Sequence, residues 1–261
     1  MKPVDYRQQT VLVTGASAGI GAEFARGLAA RGASLVLVAR RRDRLDALSA
    51  QIGGRVIALD LSEPGAGPAL AGELAARGIE VTSVVNNAGF ANHGGFHTHD
   101  LADLRREIAV DVTSVVEISR TFIEPLRRRG DGFLVNVASM AGYQASPTMA
   151  VYGAAKAFVL SFTEALWYES RGTGLRVLAV SPGATDTEFF DVAGENSAAG
   201  ARRVAPADVV ATTFAALARR NPPPSVAVGR ANRFAAAAGR VLLTRRGSTV
   251  LIGSMMRRAT A

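Results

Sequence analysis

The chain has 261 residues, of which 48% are hydrophobic and 20% charged, and it contains no cysteine. This apolar content is enough for a sizeable core, so the composition excludes overall disorder, and the length suits a single α/β domain. The lack of cysteine excludes disulfides, a thiolate nucleophile and thiolate metal ligands. No apolar run reaches the roughly 18 residues of a membrane span and no signal-peptide pattern opens the chain, so we expect a cytoplasmic protein.

The formal net charge of +8 comes from arginine, because Lys2 and Lys156 are the only lysines. Since arginine cannot replace a compact, titratable ammonium group, Lys156 is a candidate functional residue. No acidic residue follows Asp208, whereas nine arginines do, so residues 230–261 form a basic C-terminal extension. This extension has three interpretations: packing on its own chain, a subunit contact, or an anionic membrane surface. We favour the first two, because Gly247 and Gly253 interrupt an amphipathic helix, and we expect no nucleic-acid binding.

Short β-branched runs alternate with helical stretches along the chain. We predict strands at Thr10–Thr14, Ser34–Ala39, Arg55–Leu59, Ser83–Asn86, Gly132–Ala138, Leu175–Val180 and Ser225–Val228. We predict helices at Ile20–Ala30, Arg42–Gln51, Ala150–Ser170 and Pro206–Arg219, with one or two more after Arg230. Near-continuous apolar strands separated by helices are typical of a Rossmann-like, doubly wound parallel sheet with helices on both faces. We expect about seven strands in one domain spanning residues 1–261.

A glycine-rich turn with the spacing Gly15-x-x-x-Gly19-x-Gly21 lies between the first predicted strand and the first predicted helix. Gly15 permits a tight turn, and the other two glycines permit close approach of a ligand and close helix packing. The amide groups and positive dipole end of the helix then suit a pyrophosphate. The strand–turn–helix context therefore predicts a dinucleotide site.

Further motifs follow in chain order. They are Asp60 after the third strand, Asn86-Asn87-Ala88-Gly89 after the fourth, Ser139 with Tyr152-x-x-x-Lys156, and Ser181-Pro182-Gly183 with Thr187. Together with the glycine spacing, this set resembles the short-chain dehydrogenase/reductase family over about residues 8 to 190. The resemblance implies cofactor contacts from Gly15, Ser17, Ala18, Gly19, Ile20, Gly21, Asp60, Leu61, Asn87, Ala88, Gly89, Tyr152, Lys156, Pro182, Gly183, Thr185 and Thr187.

The end of the second strand indicates which nicotinamide cofactor binds. An acidic residue there accepts the ribose hydroxyls of NAD, but this chain reads Ala39-Arg40-Arg41 with no carboxylate until Asp43. A guanidinium can grip a 2′-phosphate bidentately, and in the family an arginine at the position of Arg40 implies NADP(H). Ala18 argues against this, because many NADP-preferring members carry a second basic residue there. We predict NADP(H), bound through Arg40.

Ser139, Tyr152 and Lys156 form the predicted catalytic set. Tyr152 and Lys156 share one face of a predicted helix, and the ammonium is expected to lower the tyrosine pKa. Ser139 would polarise a substrate carbonyl. The sequence thus predicts an NADP(H)-dependent oxidoreductase that interconverts a ketone and a secondary alcohol, with Tyr152 as general acid/base and an apolar carbonyl or 3-oxoacyl-type substrate. The alternative is a dinucleotide-binding interaction or regulatory protein with reduced catalysis.

Asp111 departs from the family pattern, which has an asparagine there to support a water relay to the lysine. Asp111 either substitutes for the asparagine by holding the same water, with its charge stabilising the protonated form of Lys156, or it impairs the relay. We favour the first and expect Asp111 to take part in catalysis.

The resemblance also implies the substrate end of the site. Its candidate residues are Phe90, Tyr143, Met149, Phe189 and Phe190, and a lid is expected over about residues 186–204. We predict no metal site, since His93, His97 and His99 lie in a glycine-containing loop without spacing that would aim them at one point. A homodimer or homotetramer is expected.

Overall fold

Seven strands form one all-parallel sheet in the computed structural model, which describes residues 2–190, 194, 203–241 and 244–260. They are β1 (Thr10–Thr14), β2 (Ser34–Ala39), β3 (Arg55–Ala58), β4 (Ser83–Asn86), β5 (Phe133–Val137), β6 (Arg176–Ser181) and β7 (Ser225–Ala227). Their order across the sheet is β3-β2-β1-β4-β5-β6-β7. The central strands are buried on both faces, which explains their near-continuous apolar sequences. The predicted fold class is confirmed, and the strand bounds agree to within a residue.

Helices cover both faces of this sheet. They are α1 (Gly19–Ala29), α2 (Arg42–Ile52), α3 (Ala66–Ala76), α4 (Leu101–Ile108), α5 (Ser114–Arg129), α6 (Ala150–Glu169), α7 (Pro206–Leu217), α8 (Arg230–Val241) and α9 (Arg245–Thr260). Buried side chains of α1, α2 and α7 pack with one face of the sheet, and those of α3 and α5 pack with the other. These five helices bury apolar side chains against the strands, which is the packing that stabilises a doubly wound domain.

The chain reverses its direction of travel across the sheet between β1 and β4. Successive strands after β1 add outward on one side as far as β3, and β4 then pairs on the other side of β1. At such a switch point the loops after the two central strands diverge to opposite faces and leave a crevice at the carboxyl ends of the strands. The glycine-rich turn follows β1 and the Asn87–Gly89 motif follows β4, so the fold brings both to this crevice.

The C-terminal helix α9 packs close to the same end of the sheet. Met256 is buried in a cluster with Ala91 and Met149, and Ile252 packs against this cluster together with Tyr152 and Phe189. Within the described ranges, no helix has both the length and the apolar character needed to cross a membrane. Most of the predicted lid, residues 191–193 and 195–202, lies outside the described residues.

Candidate active site

Gly15 and Gly21 hold α1 tightly against the loop after β4. Gly15 has a φ of 65°, and an added Cβ would lie 2.8 Å from Asn87 Nδ2. A Cβ at Gly21 would lie 2.2 Å from the Gly15 carbonyl oxygen and 2.5 Å from Asn87 Nδ2. The Asn87 amide donates a 3.0 Å hydrogen bond to the Thr14 carbonyl, which ties the two loops together. Gly21 therefore serves helix packing, and it does not line the cavity.

The first turn of α1 offers amide donors without a competing acceptor. Its N-cap residue is Ala18, which has no side-chain oxygen and makes no capping hydrogen bond. In an ordinary helix a Ser, Thr or Asp side chain would accept from these N–H groups. Here they border a cavity of about 440 Å³ at the carboxyl ends of the strands. Donors left free in this way suit the negative charge of a pyrophosphate.

The cavity also brings together almost all of the predicted cofactor residues. With Gly21 as the exception, its wall includes Gly15, Ser17, Ala18, Gly19, Ile20, Arg40, Asp60, Leu61, Asn87, Ala88, Gly89, Tyr152, Lys156, Pro182, Gly183, Thr185 and Thr187. Most of these residues follow the carboxyl ends of β1, β2, β3, β4 and β6, whereas Tyr152 and Lys156 lie on α6. The glycine turn, the free amide groups and this wall together fit a dinucleotide.

One end of the cavity carries a cluster of arginines. Arg40 lines the wall and lies 3.9 Å from Asp60. Arg41 contacts the Ser17 hydroxyl at 3.2 Å and Glu188 at 3.0 Å, and Arg44 contacts Glu188 at 2.6 Å. The sequence analysis identified Arg40 but not Arg41, Arg44 or Glu188. Glu188 lies more than 140 residues along the chain from Arg41 and Arg44, so no local sequence pattern predicts these ion pairs.

The three predicted catalytic side chains all line the cavity. Ser139 follows β5, and Tyr152 and Lys156 lie one turn apart on α6. Lys156 Nζ is 5.5 Å from the Tyr152 ring centroid and donates a 3.3 Å hydrogen bond to the Val137 carbonyl. The lysine is therefore fixed beneath the tyrosine.

Asp111 forms a direct ion pair with Lys156 instead of reaching it through a water molecule. Its Oδ1 lies 2.7 Å from Lys156 Nζ, and its Oδ2 accepts a 3.1 Å hydrogen bond from the Phe90 N–H. Asp111 lies in a single π turn, Ala109–Thr113, between α4 and α5; such turns are common at functional sites. A Cβ at Gly89 would lie 2.5 Å from Asp111 Oδ1, so this glycine makes room for the pair. The expected water-holding role is corrected: the direct contact leaves no space for an intervening water.

The electrostatic balance also corrects the expected effect on Tyr152. Burial raises the pKa of the Tyr152 phenol, and the opposing effect of Lys156 does not overcome it because Asp111 raises the pKa further. Burial lowers the pKa of Lys156, but Asp111 and Tyr152 together raise it above its usual value. Both groups therefore keep their protons at neutral pH in this structure, whereas the sequence analysis expected Lys156 to lower the tyrosine pKa.

The other end of the cavity is apolar. Its wall includes Phe90, Met149, Phe189 and Phe190, as expected, together with Val110, Met140 and Ala184. Tyr143 does not line it; the 3₁₀ helix Met140–Tyr143 turns this ring towards a cluster that contains Val159 and Leu160. No group of three metal-ligating side chains occurs in the described part of the chain.

The comparisons with known proteins agree with this geometry. The sequence profile of the short chain dehydrogenase family matches residues 9–198. The chain belongs to this family. As a short-chain dehydrogenase, it is an oxidoreductase that binds a nicotinamide dinucleotide and acts on carbonyl and alcohol groups.

Relatives with different substrates resemble this short-chain dehydrogenase. Sulfoacetaldehyde reductase of Chromohalobacter salexigens is 39% identical over 186 residues, which cover 69% of this chain and 73% of that protein. The solved short-chain dehydrogenase from Sphingobium yanoikuyae in complex with NADPH is 34% identical with a TM-score of 0.77, over 93% of this chain and 95% of that one. A solved 7beta-hydroxysteroid dehydrogenase is 25% identical with a TM-score of 0.82, over 98% and 100% of the two chains.

Proposed function

We propose that this short-chain dehydrogenase is an NADP(H)-dependent reductase of apolar carbonyl compounds, such as ketones or 3-oxoacyl groups, with Tyr152 as the general acid. One observation carries the proposal: a single cavity is lined by Arg40 and Arg41, by Tyr152 and Lys156, and by an apolar group that includes Phe90, Met149 and Phe189. This arrangement matches a phosphorylated dinucleotide along the strand ends and an uncharged carbonyl substrate beyond it.

The arginine end supports NADP(H) over NAD(H). A 2′-phosphate carries nearly two negative charges, and Arg40 and Arg41 both line the cavity there. Asp60, the nearby acid, follows β3 and accepts hydrogen bonds from the Ser62 N–H and hydroxyl. No acidic side chain stands at the end of β2, where it would receive the ribose hydroxyls.

The chain's own residues supply proton transfer and orientation. The bound cofactor supplies the hydride when the carbonyl is reduced. Ser139 lines the cavity and would donate a hydrogen bond to the carbonyl oxygen, and Tyr152 would donate the proton as negative charge develops there. Lys156, held by Val137 and Asp111, stabilises the phenolate that remains.

The substrate end supports an uncharged, apolar substrate. Among the described residues that line the cavity, the cations are Arg40 and Arg41 at the cofactor end and Lys156, which is paired with Asp111. Arg203 stacks on the Phe190 ring at 4.0 Å and lies 3.5 Å from Asp186. Among the described residues, the rest of this end of the cavity consists of aromatic and aliphatic side chains, which suit an uncharged substrate.

Binding and turnover measurements test the proposal. NADPH should bind at least about tenfold more tightly than NADH, since tenfold requires only about 1.4 kcal/mol and charge-assisted hydrogen bonds supply that much. Arg40→Asp should reverse the order. The matched control is Arg42→Asp, because Arg42 pairs with Asp46 on α2 and does not line the cavity. Equal affinities of the parent for both cofactors would contradict the NADP(H) assignment.

A dinucleotide-binding regulatory protein with reduced catalysis is the second candidate. The observation that favours it is Asp111, whose charge raises the Tyr152 pKa and so opposes formation of the phenolate. A panel of ketones and secondary alcohols, followed by NADPH absorbance, separates the two. Tight NADPH binding without turnover of any compound would support the regulatory function.

A further inference from the structure

Glu107 is a second buried carboxyl group beside the active site. It occupies the last turn of α4 and is fully buried. Its Oε2 accepts hydrogen bonds from the Asn92 N–H at 3.3 Å and from the Asn92 side-chain amide at 2.7 Å. Its Oε1 is buried and has no hydrogen-bond partner among the described residues. A carboxylate oxygen is rarely left like this, because burying a charge without a donor is costly.

Asp111 lies four residues further along the chain and is also fully buried. It is paired with the Lys156 ammonium and accepts a hydrogen bond from the Phe90 N–H. Glu107 does not contact this ammonium, so two buried carboxyl groups stand in the neighbourhood of one cation that is paired with Asp111. The groups that act on Glu107 from the elements around it are Asp111 on the π turn and His99 on the loop before α4. In turn, Glu107 acts on Tyr152 and Lys156 of α6.

We propose that the Glu107–Asp111 carboxyl pair holds one proton, carried mainly on Glu107 Oε1, and that this proton restores Tyr152 after each reduction. The pair contains one negative charge, which matches the single Lys156 ammonium, and a protonated Oε1 explains the oxygen without a donor. Burial raises the pKa of Glu107, the Asn92 hydrogen bonds oppose this, and Asp111 raises it again. Two buried carboxyl groups that repel each other ionise in separate steps, so the second negative charge forms only at higher pH.

The proton balance of this step follows from the bonds involved. In reduction, the Tyr152 O–H bond breaks as the O–H bond of the product alcohol forms. An N–H bond of Lys156 then breaks as the phenol re-forms. The proton of the pair passes from Glu107 to Asp111, and the O–H bond of Asp111 breaks as the N–H bond of Lys156 re-forms across their 2.7 Å contact. Both carboxylates are charged until solvent returns a proton. Glu107 thus acts through Lys156 as a positioning residue, and this role rests on the proposed reductase function.

The test compares the parent with Glu107→Gln, which keeps the shape and the hydrogen-bonding partner Asn92 but carries no transferable proton. Infrared spectroscopy of the cofactor-free protein at pH 7 should show a protonated carboxyl band that Glu107→Gln lacks. The matched control is Glu117→Gln on α5, since Glu117 accepts from the Gly65 and Gly67 N–H groups away from the cavity. This control should keep the band.

The same variants are then assayed as reductases across pH. Glu107→Gln should lower kcat by about fivefold or more, with KM and NADPH affinity unchanged, and its pH profile should lose one titration step. The proposal of a shared proton would be wrong if the parent lacked the infrared band. It would also be wrong if the pH–rate profile of Glu107→Gln matched that of the parent. If the parent reduces no carbonyl compound, the proposed function fails, whereas the infrared result still decides the protonation of Glu107.

Discussion

Asp111 adds to the effect of burial on the Tyr152 pKa and opposes the effect of burial on the Lys156 pKa, because its charge raises both. Asp111→Asn removes this charge, so the coupled Tyr152–Lys156 pair should lose its proton at lower pH. Reduction needs that proton, so the alkaline limb of its pH–rate profile should move down by about one pH unit. The rate of alcohol oxidation at neutral pH should rise. The measurement is kcat/KM against pH in both directions.

Asp111→Ala serves as the harsher variant in the same series. It leaves a buried ammonium without its carboxylate and should cost about 3–5 kcal/mol in the free energy of unfolding, measured with urea. It should also be slower than either the parent or Asp111→Asn. If the alanine variant matches the parent in stability and pH profile, Asp111 is only a helix residue.

Gly89 tests whether the close approach of Asp111 and Lys156 matters. A methyl group at this position would lie 2.5 Å from Asp111 Oδ1 and 3.0 Å from Lys156 Nζ, so Gly89→Ala should force the pair apart. We expect a loss of about 1–3 kcal/mol in unfolding free energy together with a fall in kcat. Gly72→Ala on α3 is the control, because no atom lies within 4 Å of its added Cβ. It should stabilise the protein by about 0.5–1 kcal/mol.

At the scale of elements, the segment after β6 is connected electrostatically to the start of α2. Glu188 contacts both Arg41 and Arg44, and it stands where a 2′-phosphate would compete for Arg41. Glu188→Gln should therefore raise NADPH affinity by a few-fold, since exposed ion pairs contribute up to about 1 kcal/mol each. NADH affinity should not change. Fluorescence titration of both cofactors checks this, and an equal gain for NADH would show that Glu188 acts without regard to the phosphate.

The sequence predicts elements well where their signal is local. The strands are found to within a residue because each is a β-branched apolar run, and the Tyr152–Lys156 spacing places both side chains on one face of α6 without tertiary information. The sequence pattern does not predict the bounds of α3, because this alanine- and glycine-rich segment has little amphipathic pattern. Its start is fixed instead by a tertiary contact, the hydrogen bond from the Gly67 N–H to Glu117 of α5. The π turn is not predicted from the sequence either, since its hydrogen-bond register depends on tertiary contacts such as those of Asp111.

At the scale of the whole molecule, the C-terminal helix reaches back to the active site. Met256 is 6% exposed in a cluster with Met149, whereas its neighbour Met255 is 45% exposed. Met256→Ala should raise KM for bulky apolar ketones and cost about 2 kcal/mol in unfolding free energy. Met255→Ala, the matched control, should change neither. Equal effects of the two variants on KM would argue against a contribution of α9 to the substrate end.

The expected homodimer or homotetramer stays a prediction. Helices α4 and α6 expose several large apolar side chains, namely Leu101, Ile108 and Phe158. Exposed apolar groups of this size are typical of contact surfaces, although single ones are common on monomers.

Turnover of Tyr152→Phe tests whether Tyr152 is the proton donor in carbonyl reduction. The parent should consume NADPH in the presence of an apolar ketone, and the variant should lose about two to four orders of magnitude in kcat, because the proton donor is gone while the ring still fills its place. NADPH affinity should remain within a few-fold of the parent. Tyr143→Phe, a tyrosine outside the cavity, should behave like the parent. A Tyr152→Phe enzyme that turns over within a few-fold of the parent would contradict the account, because the proton would then come from elsewhere.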